Sequence, residues 1–131
     1  MALALTSAGG ALGAVARWAL EDVFPAHGTD FPWTTFAINV VGSGLLALLG
    51  VLPVVRRRPA LPLFLGTGVL GGFTTMSAAS VDTFRLLDAG LVVPALLYAL
   101  GTLAAALALA VAVMRIDPVG EREFDAEEGD L

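Results

Sequence analysis

Amide and hydroxyl side chains recur at helical spacing inside apolar segments of this chain. Thr35, Asn39 and Ser43 lie four residues apart in one segment, and Tyr98 and Thr102 repeat that spacing later. Residues four apart share one face of an α-helix, so each set predicts a polar stripe. Such a stripe can hydrogen-bond a neighbouring helix. Its amide and hydroxyl donors can equally replace the water around an anion, and both interpretations of Asn39 stay open.

A second polar cluster interrupts the apolar run that continues to Leu87. Gly71 and Gly72 are adjacent there, and Thr74, Thr75 and Ser77 follow closely. Paired glycines lose much backbone entropy and hydroxyl side chains compete for backbone hydrogen bonds, so we predict a helix break near Gly71–Thr75. Backbone groups that a break frees at bilayer depth must be satisfied by protein, water or an ion. The break therefore indicates a permeation or binding site.

Arg17 lies within the first apolar segment. An arginine at bilayer depth is costly, which predicts that it faces protein or water. Alternatively, its head group reaches the membrane interface, because Glu21 and Asp22 end the segment one turn later. Small residues four apart predict close approach of helix backbones. They occur as Gly9 and Gly13 in the first segment, and as Gly68 and Gly72 in the third.

The elements that position these residues are predicted to be membrane spans. The 131 residues are 57% hydrophobic and only 15% charged, too few charges to cover a soluble domain of this size. We predict an all-α membrane protein with one domain, 1–115, whose third helix is the broken one. The four predicted spans are long enough for a hydrocarbon core of roughly 30 Å. They cover about 2–23, 34–55, 61–87 and 91–113.

The arginines predict how the chain is oriented. With four spans, both termini and the loop after the second span share one side of the membrane. That side holds Arg56, Arg57, Arg58, Arg115 and Arg122, whereas the opposite loops offer at most Arg85. Positive charge favours the cytoplasmic side, so we predict a multi-pass protein of the cell membrane with both termini in the cytoplasm. The acidic residues 116–131 predict a disordered cytoplasmic tail.

Together these motifs resemble the CrcB-type fluoride channels (Fluc family) from Gly9 to about Val113. The resemblance is carried by Gly9-Gly10 to Gly13-Ala14 and Arg17, by Thr35 to Asn39-Val40-Val41-Gly42, by Gly71-Gly72-Phe73-Thr74-Thr75-x-Ser77, and by Tyr98. It implies an antiparallel, dual-topology dimer of four-helix subunits with two pores. It also implies that the dimer lets fluoride leave the cytoplasm down its electrochemical gradient, which lowers cytoplasmic fluoride and its toxicity.

The same resemblance implies roles for individual residues. Asn39 would be an anion donor in the pore, and the hydroxyl track would comprise Thr35, Ser77, Tyr98 and Thr102. The carbonyls of Gly71 and Thr74 would hold a structural Na⁺ at the dimer centre, with Arg17, Gly72 and Thr75 in structural positions. The family usually has phenylalanine at the positions of Met76 and Ala79, where positive ring edges contact the anion. Neither residue is aromatic here.

That departure and the arginine asymmetry favour a heterodimer over a homodimer. We hypothesise that a paralogous subunit of opposite orientation supplies the missing phenylalanines. The alternatives are a non-conducting partner subunit and a small proton-coupled multidrug transporter. The transporter needs a carboxylate deep in a span, whereas every Asp and Glu here lies near a segment end, with Asp82 the most nearly embedded. No spacing supplies the groups of an enzyme, and we expect no nucleic-acid partner.

Overall fold

The computed structural model describes residues 1–116, and this part of the chain is helical and has no strand. From residue 117 on, the predicted acidic tail lies outside the described residues. The helices are α1 (Ala2–Val23), α2 (Trp33–Val51), α3 (Pro53–Arg56), a π-helix (Pro62–Leu70), α4 (Gly71–Phe73), α5 (Met76–Asp88) and α6 (Val92–Met114). Four segments are long and apolar enough to cross a membrane: Ala2–Val23, Trp33–Val51, Pro62–Asp88 and Val92–Met114. The predicted all-α, four-span class is confirmed.

The second span ends earlier than the predicted limit at residue 55. Helix α2 stops at Val51, and Leu52 is extended with φ −77° and ψ 118°. A proline has no N–H to donate to the preceding helical turn and disfavours the helical conformation of the residue before it. Pro53 therefore ends α2 and opens the short helix α3, in which it occupies the first turn.

The third span is broken within the region Gly71–Thr75 that the sequence predicted. Gly71 is still helical, with φ −65° and ψ −33°. Thr74 and Thr75 are extended, with ψ values of 150° and 115°. The segment before the break is a nine-residue π-helix, a rare conformation that no sequence pattern indicated.

Helix α1 packs backbone to backbone against the first half of the third span. A Cβ atom added at Gly9 would lie 2.9 Å from the Cα atom of Gly68, and one at Gly72 would lie 3.0 Å from the Cα atom of Gly10. A Cβ atom at Gly13 would overlap the carbonyl oxygen of Val69. The predicted close approach at the two small-residue pairs is thus confirmed, and each pair faces the other.

The second half of the third span is helix α5, which packs against α6 and α2. Helix α6 packs against both α2 and α5. The buried cluster consists of Ala79, Leu86, Ala95 and Tyr98, and the ring of Phe31 meets the Tyr98 ring edge-on at a centroid distance of 5.3 Å. The break between α4 and α5 thus lies between two packed halves, α1 with the π-helix on one side and α2 with α6 on the other.

Candidate functional site

Asn39 holds the break in the third span through two hydrogen bonds. The backbone N–H of Thr75 donates to Asn39 Oδ1 at 2.8 Å, and Asn39 Nδ2 donates to the carbonyl of Thr75 at 3.0 Å. The side-chain amide therefore replaces the helical partner that the Thr75 N–H loses. It also adds a donor to the Thr75 carbonyl, which as the N-cap carbonyl of α5 accepts the first bond of that helix. A primary amide carries two N–H groups, so one N–H of Asn39 is left over. Asn39 therefore links α2 to the third span, as the first interpretation predicted. It also keeps one N–H with which it could bind an anion, as the second interpretation requires.

The break also releases two backbone carbonyls of the third span. In a continuous α-helix, the N–H of Thr75 would bond to the carbonyl of Gly71, and the N–H of Ala78 to that of Thr74. Here the Thr75 N–H bonds to Asn39, and the Ala78 N–H bonds to the hydroxyl of Thr75 at 3.1 Å. Both carbonyls therefore lose their helical donors. Carbonyl oxygens of this kind suit a hard cation such as Na⁺, so Gly71 and Thr74 fit the ion that the resemblance implies.

Arg17 faces the protein at the same break. Its Nε donates to the carbonyl of Gly72 at 3.4 Å, and its Nη1 lies 3.4 Å from Oε2 of Glu21. The carbonyl of Gly72 belongs to the last turn of α4, which has no following turn to bond to it. The guanidinium therefore supplies a charged donor at the end of a half-helix and links α1 to the break.

Replacing Arg17 by methionine should lower the free energy of unfolding by about 1 kcal/mol, near the lower end expected for a long hydrogen bond to a charged group. The reason is that the carbonyl of Gly72 loses its donor. The measurement is thermal unfolding in detergent, followed by circular dichroism. The control is Arg115→Met, because Arg115 is exposed beyond the end of α6. Equal unfolding temperatures for the two variants would contradict this role of Arg17.

An open-sided cavity of about 600 Å³ lies between α2, α5 and α6; we call it the inner cavity. Its wall is mainly apolar. Asn39 and Ser43 line it from α2, and Thr102 lines it from α6. Met76 and Ala79, where the resemblance leads us to expect phenylalanine, also line the inner cavity; Met76 is 76% exposed and Ala79 is buried. The inner cavity is thus an apolar groove that contains a polar stripe. This chain places no aromatic ring at position 76 or 79.

Most hydroxyls around the inner cavity already donate to the carbonyl four residues earlier. These bonds are Thr74 to Leu70 at 2.9 Å, Ser80 to Met76 at 2.9 Å, Thr83 to Ala79 at 2.8 Å and Thr102 to Tyr98 at 2.6 Å. A hydroxyl has one proton, so these groups present lone pairs to the cavity. Among the side chains that line the inner cavity, the donors without a partner within residues 1–116 are the second N–H of Asn39 and the hydroxyl of Ser43.

Asp82 is a buried carboxylate that joins three helices. Its residue is 9% exposed, and its Oδ2 accepts from Thr35 of α2 at 2.9 Å and from Tyr98 of α6 at 3.4 Å. Its Oδ1 lies 3.4 Å from Nη1 of Arg85, one turn later on α5. A buried charge is tolerated when it is paired and hydrogen-bonded, and both conditions hold for this carboxylate.

A second cavity, of about 410 Å³, lies between the end of α1, the loop after it and α5; we call it the outer cavity. Its polar lining consists of Glu21, Thr34, Thr35, Ser77, Asp82 and Arg85. Thr35 precedes Asn39 by one turn of α2, so the two cavities follow one another along that helix. The links from Asn39 to Thr75 and from Thr35 to Asp82 separate them.

The predicted site residues do not share one cavity. The inner cavity receives Asn39, Thr102, Met76 and Ala79, and the outer cavity receives Thr35 and Ser77. Tyr98 is fully buried between them and lines neither. Sequence reasoning missed Ser80 and Thr83, although their spacing from Met76 places all three on one helix face. It also treated Asp82 as a segment-end residue, whereas the fold buries it.

The comparisons with known proteins cover most of the chain. The family profile described as "CrcB-like protein, Camphor Resistance (CrcB)" matches residues 4–114. A protein of Novosphingobium aromaticivorans named fluoride-specific ion channel FluC is 44% identical over 121 residues, 87% of this chain and 96% of that protein.

Two relatives carry numbers in their names. Fluoride-specific ion channel FluC 2 of Streptomyces avermitilis is 46% identical over 107 residues, 77% of this chain but only 65% of that protein. Fluoride-specific ion channel FluC 1 of Streptomyces coelicolor is 42% identical over 108 residues, 80% of this chain and 70% of that protein. This chain therefore spans about two-thirds of the length of those two relatives.

Proposed function

Since this chain belongs to the CrcB-like family, we propose that it is a subunit of a fluoride channel in the cell membrane. The observation that carries the proposal is the spare amide N–H of Asn39 in a polar stripe of the inner cavity. Fluoride holds its water strongly, so a pore must replace that water with hydrogen-bond donors. An amide fixed by two other hydrogen bonds is a donor that needs no reorganisation when the ion arrives.

The pore in this proposal forms between two subunits in antiparallel orientation. The inner cavity is open on one side, and Met76 at its rim is 76% exposed. A partner helix would cover that side and bring aromatic ring edges to the anion, because positions 76 and 79 supply none here. The arginine asymmetry favours a paralogous partner of opposite orientation over a second copy. The numbers in two relatives' names agree with the existence of paralogues.

The proposal also assigns a structural Na⁺ to the carbonyls of Gly71 and Thr74. What supports it is that both carbonyls lose their helical donors at the break. Gly71 is exposed, so a cation there could also contact a partner subunit. The ion would supply positive charge at the centre of the dimer, while Asn39 and Arg17 hold the two sides of the break.

Conduction then follows from the groups that this chain presents. The anion leaves water at a cavity mouth and accepts the spare N–H of Asn39. The hydroxyls of Ser80, Thr83 and Thr102 must turn from their carbonyl acceptors toward the ion before they can donate to it. A passive pore sets no direction of its own, so fluoride leaves the cytoplasm whenever its electrochemical gradient points outward. No covalent bond forms or breaks in this sequence of events, as expected for a channel.

A second candidate function is that of a non-conducting partner subunit. It is favoured by the absence of aromatic residues at Met76 and Ala79. The multidrug-type transporter has less support, because Asp82, the buried carboxylate residue among residues 1–116, already accepts from Thr35 and Tyr98 and pairs with Arg85. The relatives reported above are all named as channels.

Fluoride efflux from liposomes tests the proposal. We expect rapid fluoride efflux from this chain co-purified with a paralogous subunit, and little from this chain alone. Chloride is the control ion and should stay inside the vesicles. The physical reason is that the rings missing at residues 76 and 79 must come from the partner.

Each other outcome has a definite meaning. Rapid efflux from this chain alone would contradict the heterodimer and leave the fluoride channel standing. Efflux from the pair that survives Asn39→Ala would favour the non-conducting subunit. No fluoride efflux from either preparation would overturn the proposal that this chain belongs to a fluoride channel.

A further inference from the structure

Two carboxylates line the outer cavity, whose Thr35 lies one helical turn from Asn39 along α2. Asp82 lines the outer cavity, and the hydroxyl of Thr35 bonds to it one helical turn from Asn39. Glu21, a second carboxylate, lines the same cavity, with Oε2 paired to Arg17. Its Oε1 is buried and has no hydrogen-bond partner within residues 1–116. An anion that enters from this side therefore approaches two carboxylates before it reaches the amide of Asn39.

Whereas Glu21 pairs with Arg17, Arg85 is the cation that pairs with Asp82. Its Nη1 lies 3.4 Å from Oδ1 of Asp82, and its side chain is 51% exposed and lines the outer cavity. Thr35 and Tyr98 both donate to the other oxygen, Oδ2. The carboxylate is thus divided: one oxygen is held by neutral hydroxyls in the protein, and the other is paired with a cation at the cavity surface. Arg85 is the only arginine or lysine among the described residues that line this cavity.

We propose that Arg85 is a specificity-determining residue that neutralises Asp82 for the passage of an anion through the outer cavity. The inference rests on the proposed function. The family resemblance contains no residue at position 85, so the inference stands on the ion pair and the cavity alone. Charges of one sign in a cleft with low-dielectric walls focus the field and change the local concentration of an ion by about tenfold or more. Loss of Arg85 would therefore leave a field that repels the anion.

A purely structural role for the Asp82–Arg85 pair predicts a change in stability and no direct change in the rate of efflux. Ion pairs with an exposed partner contribute little to stability, so the loss of Arg85 should not unfold the protein. Asn at position 82 could keep its oxygen toward Thr35 and Tyr98, because both hydroxyls donate to a single oxygen of Asp82. The negative charge can thus be removed while the links between helices are kept.

The experiment compares fluoride efflux from liposomes that hold the conducting assembly with four variants of this chain. We expect Arg85→Gln to slow efflux about tenfold or more, as expected for a change of field in a cleft. Arg85→Lys should stay within about twofold of the unmodified assembly because the charge is kept. The double variant Arg85→Gln with Asp82→Asn should recover to within about threefold, because neither charge remains. Arg57→Gln is the control, since Arg57 is exposed and lines neither cavity.

The outcomes distinguish a failure of the proposed function from a failure of the inference about Arg85. No fluoride efflux from the unmodified assembly would overturn the proposed function, and this inference with it. Efflux from the unmodified assembly and an equal rate from Arg85→Gln would overturn the inference alone. A slow double variant would also overturn it, because Arg85 would then not act through Asp82. Size-exclusion profiles and unfolding temperatures of all variants should match, so that a slow rate cannot be attributed to loss of assembly.

Discussion

Replacing Asn39 by alanine should abolish fluoride efflux from the conducting assembly and destabilise the third span. Two hydrogen bonds to the backbone of Thr75 disappear, together with the spare N–H that faces the inner cavity. The N–H of Thr75 is then left without a partner at bilayer depth, where water cannot take the place of Asn39. We expect a loss of about 2–4 kcal/mol in the free energy of unfolding. Efflux should fall by roughly 100-fold or more, which corresponds to about 2.7 kcal/mol.

Two further variants separate the structural from the ionic contribution of Asn39. Ser43→Ala is the control for stability, because Ser43 lies one turn away on the same stripe and has no hydrogen bond within the described part of the chain. Its unfolding temperature should match that of the unmodified chain. Asn39→Asp keeps an acceptor for the Thr75 N–H but loses both donors, so it should lose efflux even where the fold survives. Efflux at the normal rate from Asn39→Ala would rule out the donor role.

Replacing Gly13 by alanine should separate α1 from the third span. The added Cβ atom would overlap the carbonyl oxygen of Val69 and lie 2.8 Å from the backbone nitrogen of Phe73. Both groups belong to the backbone and cannot turn aside as a side chain would. Overpacking of a tight contact costs about 1–3 kcal/mol, occasionally more, and we expect a value at the upper end. Thermal unfolding in detergent and the yield of monodisperse protein are the measurements.

Gly10 provides a matched control on the same helix. A Cβ atom there would have the carbonyl oxygen of Gly68 as its nearest neighbour, at 3.9 Å, which is an ordinary contact. Alanine is favoured over glycine inside a helix by about 1 kcal/mol, so Gly10→Ala should unfold at the same or a higher temperature. Equal destabilisation by Gly10→Ala and Gly13→Ala would show that the packing of α1 does not depend on close backbone approach.

Features of the fold that depend on local chemistry were predictable from the sequence. The spacing of Gly9 with Gly13 and of Gly68 with Gly72 indicated where helix backbones meet, because only a missing Cβ allows such contacts. The cluster of glycines and hydroxyls likewise predicted the break. The break lies within the predicted range, at the extended residues Thr74 and Thr75, while Gly71 and Gly72 remain helical.

Features that depend on tertiary pairing were not predictable in the same way. The sequence marked Asn39 as polar within an apolar span, but nothing local indicates that its partner is the backbone of Thr75, 36 residues later. Asp82 was placed near a segment end by its position in the chain, and its burial follows from the packing of α2 and α6 around α5. The nine-residue π-helix has no local signature of its own.

The back-bonded hydroxyls around the inner cavity make its polarity depend on its occupant. With no anion present, Ser80, Thr83 and Thr102 turn oxygen lone pairs outward, which is a surface that repels negative charge. Each of them becomes a donor only if the ion competes successfully with a peptide carbonyl for its proton. A strong acceptor such as fluoride wins that competition more readily than a large, weakly basic halide. Discrimination would then follow the basicity of the ion rather than its radius.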